Sequence, residues 1–186
     1  MSKLETNTID TVSGTSNLII GSTNTSTITM PNGSLSGHNY PAFQANLSAV
    51  QNISDVTVTK VQFDSEVYDT NSCYDNSTNY RFTPTVAGKY YIYSYIECDA
   101  EGVNKTKRSQ IYVYKNDAIA GLVQSFPNSA SAFNNMAVNI TAVLDMNGSS
   151  DYIEIHSYVD ADAVQARIIG NSSYGRSIFG AYRIGA

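Results

Sequence analysis

A chain of 186 residues, 42% of them hydrophobic, has room for one substantial domain with an appendage and is too apolar to be disordered throughout. Charged residues make up only 15% and the net charge is −5, which argues against a nucleic-acid surface built from clustered Lys and Arg. With 14 Tyr, no Trp and abundant Asn, Ser, Thr and Gly, the composition favours strands separated by turns, so the expected class is all-β.

No stretch reaches the roughly 20 apolar residues of a membrane span, and no apolar run of signal-peptide length opens the chain. We therefore expect no membrane insertion and synthesis in the cytoplasm. Cys73 and Cys98 are too few for a disulfide scaffold or a zinc site, and the sequence leaves their pairing open.

Residues 1–37 are mostly Thr, Ser, Asn and Gly. Leu18/Ile20 and Ile28/Met30 carry the i, i+2 spacing of short strands, with turn chemistry at Gly21 to Asn24 and at Pro31-Asn32-Gly33. Two or three apolar side chains per strand do not offset the entropy of ordering it, so such a segment needs a partner surface. Short Thr/Ser/Gly-rich strands ending in a TMPNG-like turn resemble the shaft or attachment segments of bacteriophage fibre proteins.

Gly37 to Pro41 has the residues of a hinge, which divides the chain into 1–37 and 38–186. From Phe43 onward about nine or ten strands follow, separated by turn signals. This spacing belongs to a sandwich or jelly roll. Lys89 to Glu97 puts Tyr90, Ile92, Ser94 and Ile96 on one face and Tyr91, Tyr93 and Tyr95 on the other. Both faces are at least half apolar, so one should meet the core and the other a second subunit. Ser109 to Tyr114, Ala118 to Gln124, Ala137 to Leu144, Asp151 to Val159, Ala163 to Ile169 and Ser177 to Ile184 complete the set. Lys105, Lys107 and Arg108 read as a solvated loop.

Phe63, Asp69, Tyr74, Phe82, Gly88, Tyr90 and Ile92 form a ladder that resembles the C1q-like domain of the tumour-necrosis-factor/complement superfamily. The gaps Phe63–Asp69, Asp69–Tyr74 and Phe82–Gly88 match; the Tyr74–Phe82 gap is one residue long, and Ser94 stands where an aromatic is usual. Pro41-Ala42-Phe43, the Lys115-Asn116-Asp117 turn, Asn147-Gly148 to Ile155, and Ser177 to Ile184 resemble further family motifs in order, so the likeness spans about residues 41–185. It implies a ten-stranded jelly roll packed as a homotrimer. The strands of Phe43, Tyr90, Asp151 and Phe179 would make the three-fold contacts. The interface residues would be Phe43, Tyr90, Ile92, Ile153, Ile155, Phe179 and Tyr182. Some members of the family carry Ca²⁺ near the trimer top. Asp160 and Asp162 would be the candidate ligands here, two from each of three chains, with two solvated aspartates as the plain alternative.

No catalytic constellation is visible. His38 lies in the hinge and His156 in a strand, and no nucleophile elbow, phosphate loop or zincin pair occurs. Asn-x-Ser/Thr triplets, as at Asn46, Asn104 and Asn139, follow from composition. The expectation is a non-enzymatic, trimeric bacteriophage virion protein, a tail or head fibre or a capsid decoration. It would join other virion proteins through residues 1–37 and display its head toward a host-surface glycan or protein. The loops Asp69 to Asn79, Glu101 to Arg108 and Asn171 to Gly175 would form its tip. A secreted trimeric lectin or signalling ligand of the same fold is the rival.

Overall fold

The computed structural model describes residues 40–101, 105–125, 133–162, 165–171 and 173–185; the segment 1–37 lies outside them. In chain order the strands are β1 (Ala42–Asn46), β2 (Gln51–Ile53), β3 (Thr59–Lys60), β4 (Ser65–Asp69), β5 (Tyr74–Asp75), β6 (Arg81–Phe82) and β7 (Gly88–Ala100). Then come β8 (Thr106–Lys115), β9 (Ala118–Ser125), β10 (Asn135–Met146), β11 (Ile153–Ala161), β12 (Ala166–Ile168) and β13 (Ile178–Gly185). The expected ten strands become thirteen among the described residues, because β3, β5 and β6 are two-residue pieces. The class is all-β, as the composition indicated.

The strands form two antiparallel sheets. The first runs β2-β12-β7-β13-β1-β4, with β10 on the other edge of β7; the second runs β5-β6-β11-β8-β9, with β3 also on β11. β7 is the spine of the first sheet: β10 pairs with it along its whole length, and β13 and β12 share its opposite edge. The β8–β9 hairpin turns at Asn116 and Asp117, both with positive φ, the backbone that a tight two-residue hairpin needs and that Asn and Asp tolerate.

The apolar members of the ladder, Phe63, Tyr74, Phe82, Tyr90 and Ile92, are core residues. Phe43 stacks on Tyr74 at 4.4 Å and on Phe82 at 4.6 Å, and meets the edge of Phe179 at 4.8 Å. Tyr74 donates its buried hydroxyl to the Phe63 carbonyl at 2.9 Å. Asp69 closes the turn between them, its carboxylate accepting from the Asn71 and Tyr74 amides. Gly88 has φ +143°, and a Cβ there would stand 2.3 Å from the Gly185 carbonyl oxygen, so the position admits no side chain.

Three expectations are corrected. Phe43, Tyr90, Ile92, Ile153, Ile155 and Phe179 are fully buried within the single chain, so they build the intramolecular core and have no surface to offer another subunit. The strand carrying Ile153 and Ile155 belongs to the second sheet, not to the sheet of Phe43, Tyr90 and Phe179. Two of the proposed tip loops begin far apart. Asp69 lies in the same cross-strand row as Phe43, Ala181 and Ile92, whereas Glu101 follows Ala100, eight residues and roughly 26 Å further along β7.

Candidate functional site

The outward face of the first sheet is where the molecule presents organised aromatic surface. It follows from the alternation of β7. Tyr90, Ile92, Ser94 and Ile96 point into the core, so Tyr91, Tyr93 and Tyr95 point away from it and are only half-buried. Cross-strand register extends the face. Tyr182 and Val143 flank Tyr91, Gly180 and Thr141 flank Tyr93, and Ile178 and Asn139 flank Tyr95. Gln44 stands opposite Gly180 on β1, and Tyr68 opposite Gln44 on β4.

These side chains hold one another in place. The Tyr91 and Tyr182 rings lie 5.4 Å apart, Tyr91 and Tyr93 6.4 Å, and Tyr93 and Tyr182 6.5 Å. Tyr93 donates its hydroxyl to Gln44 Oε1 at 3.0 Å. Burial, and then the neighbouring Tyr68 hydroxyl, push the Tyr93 phenol well above the usual range, so it stays a neutral donor. Gly180 makes the arrangement possible, because its missing side chain leaves the space over which the Tyr93 ring lies. Val143 is 52% exposed, Tyr182 43% and Tyr68 42%, so the patch is open and runs across the sheet from β10 to β4.

Ion pairs frame the patch along β7. At one end Lys89 pairs with Asp145 at 2.6 Å. At the other, Arg176 grips Glu97 with two hydrogen bonds and Arg167 grips Asp99 with two at 2.8 Å. The bond from Arg176 holds the Glu97 carboxyl below its ordinary range. An apolar aromatic centre inside a charged rim is the anatomy of a protein–protein interface.

Of the sequence-named interface residues, only Tyr182 lies on this face. Gln44, Tyr68, Val143 and Gly180 were missed. Their membership depends on register between strands far apart in sequence. Gly180, next to Phe179 and two residues before Tyr182, was the one local hint.

The candidate calcium ligands are neutralised by cations of β8. Asp160 faces Arg108 at 3.6 Å and Asp162 faces Lys107 at 3.5 Å. Among the described residues no group of three or more His, Cys, Asp or Glu converges. Lys107 and Arg108 are therefore strand residues with partners, not a solvated loop. Cys73 and Cys98 are both free and buried, Cys98 with its Sγ 2.7 Å from Ser109 Oγ. His156 is enclosed on the second sheet by Glu154, Lys60 and Tyr114.

No protein-family model matches the chain, and no curated protein matches it. Solved structures do. The structure of Eiger TNF from S. frugiperda superposes with a TM-score of 0.54 at 10% identity, over 80% of this chain and 94% of that one. Murine APRIL at pH 5.0 gives 0.52 at 12% identity, over 78% of this chain and 99% of that one, and murine APRIL at pH 8.0 gives 0.53 at 11%. At such identities the likeness shows the fold alone: this is a jelly roll of the TNF/C1q-like kind.

Proposed function

We propose that the chain is a non-enzymatic binding protein whose jelly-roll head self-associates as a homotrimer, with a second copy of the chain covering the tyrosine face. The observation that carries this is the Tyr91–Tyr93–Tyr182 cluster, continued by Val143 and Tyr68 and open across the outward face of a sheet. An ordered aromatic patch of this kind is covered by a partner in most soluble proteins that carry one. The number three comes from the family resemblance. Three linked heads raise a weak single-site affinity through effective concentration.

The particle role rests on residues 1–37, whose paired apolar positions and Thr/Ser/Gly-rich turns resemble fibre segments of bacteriophages. On this reading the protein is a virion component made in the host cytoplasm. Residues 1–37 join other virion proteins, and the head faces a host-surface glycan or protein. One feature of the sheet favours a compartment without N-glycosylation. Asn139 is exposed, pairs with Tyr95 and begins an Asn-Ile-Thr triplet, so a glycan there would stand on the proposed interface.

The likeness to Eiger TNF and murine APRIL is the observation behind the rival, a secreted ligand of the same fold. Deletion of residues 1–37 tests the particle role. The head should stay folded and fail to incorporate into particles; incorporation without the segment would overturn it.

A further inference from the structure

The second sheet carries a charged cluster that the tyrosine face does not use. Lys60 on β3 donates from Nζ to Glu154 Oε1 at 2.6 Å and to the Asn79 carbonyl at 3.2 Å. Glu154 is 4% exposed, and its other oxygen lies 3.1 Å from His156 Nε2. A carboxylate only accepts, so neutral His156 carries its proton on Nε2 and donates it there. The Tyr114 ring stacks on the imidazole at 4.2 Å and fixes its plane. Facing His156 are Glu154 on its own strand, Lys60 on β3, Tyr112 and Tyr114 on β8, and Asp117 in the turn that follows.

β3 is two residues long, pairs with β11 only at His156 and Ser157, and is followed by one further bond from the Val61 amide to the Ile155 carbonyl. It is held on its other side by Gln51, whose Nε2 donates to the Lys60 carbonyl at 2.9 Å and whose Oε1 accepts from the Gln62 amide at 2.9 Å. The loop after β5 is tied within itself, the Asp75 carboxylate accepting from the amides of Ser77, Thr78 and Asn79. At its end the loop enters β6, which pairs with β11 at Phe82 and Ile153; Lys60, through Asn79, ties the loop itself to β11.

We propose that Lys60, Glu154 and His156 form an acid-released latch: protonation of His156 gives the single charge of Glu154 two cationic partners, and Lys60 is the one that leaves. His156 is fixed by its strand and by Tyr114, whereas the Lys60 ammonium sits on a flexible stem with a third of its side chain already in solvent. Its departure also surrenders the Asn79 bond, so β3 and the loop 76–79 loosen together while the core stays closed. Burial lowers His156 from its ordinary value of 6.5 more than Glu154 raises it. The nearby Lys60 charge adds to that lowering, and the open state has lost it, so the open state binds the proton more tightly. Opening increases as pH falls below about 6.5 and levels off once the closed state is protonated too.

Amide hydrogen exchange on the full chain at pH 7.5 and 5.5, corrected for intrinsic rates, tests the latch. Segments 57–60 and 76–80 should exchange faster at pH 5.5, by up to about tenfold per pH unit below 6.5, while 88–100 is unchanged. His156→Gln should remove the acid response, and Lys60→Met should give fast exchange of 76–80 at both pH values. Equal protection of 57–60 and 76–80 at the two pH values, loosening spread uniformly over the chain, or an undiminished acid response in His156→Gln would each overturn the proposal. The wild-type comparison between segments decides it even if a variant does not fold.

Discussion

Gly180 stands directly opposite Tyr93 on the neighbouring strand, and the Tyr93 ring occupies the space where a side chain at 180 would be. A Cβ built at Gly180 would lie 2.3 Å from both Cζ and the hydroxyl oxygen of Tyr93. The glycine therefore sets the posture of the tyrosine, and with it the bond from Tyr93 to Gln44.

Gly180→Ala should leave the fold intact, because the obstructing atoms are the far end of a side chain that can swing outward. The ring would leave Gln44 and disturb its packing on Tyr91 and Tyr182. A loss of about 1–3 kcal/mol in stability, the usual cost of overpacking, should accompany weakened self-association. Urea unfolding and sedimentation measured on the same sample separate the two effects.

Phe43→Ala should be among the most damaging changes to the head. Phe43 is fully buried and contacts Tyr74, Phe82 and Phe179, which come from both sheets. The expected cost is about 3–5 kcal/mol, read from the shift of the denaturation midpoint at unchanged slope. Tyr182→Ala, on the outward face, should cost the isolated head far less.

Alkaline pH should weaken the fold. Burial pushes the Tyr74 phenol far above its ordinary value of 10, and lifts Tyr90 to about 12. In the unfolded chain these phenols ionise near 10, while in the folded chain they stay neutral. Their stabilising contribution is thus complete below pH 10 and is lost as pH rises through the window above it. Thermal unfolding followed from pH 8 to 11.5 should show a falling midpoint above pH 10, and Tyr74→Phe should make that fall shallower.

Much of this fold was legible because the strands keep strict alternation. Lys89 to Glu97 gave the right parity for every residue, with Tyr90, Ile92, Ser94 and Ile96 inward. The named interface nevertheless drew on the inward set, since the residues that a fold shares with its relatives are those that fill its core. The sheet to which Ile153 and Ile155 belong is a matter of long-range topology, and no local pattern records it.

The start of β8 was hidden for a different reason. Thr106 is a fully buried hydroxyl in the stretch that reads as polar loop, and Ser109, where the expected strand begins, is fully buried too. Thr106 Oγ1 donates to the Asn134 carbonyl and Ser109 Oγ lies against Cys98, so partners 28 and 11 residues away make the burial tolerable. The Lys60–Glu154–His156 cluster was invisible likewise, as Lys60 and Glu154 are 94 residues apart.

The most direct test of association through the tyrosine face is the mass in solution of the wild-type chain beside Tyr182→Arg, by sedimentation equilibrium. Tyr182 is exposed in the single chain, so the substitution adds a charge to the face without touching the core. Association through this face predicts about three times the 20.2 kDa chain mass for the wild type, and a folded particle near the single-chain mass for Tyr182→Arg. A wild-type monomer, or a trimer that survives the arginine unchanged, would contradict it.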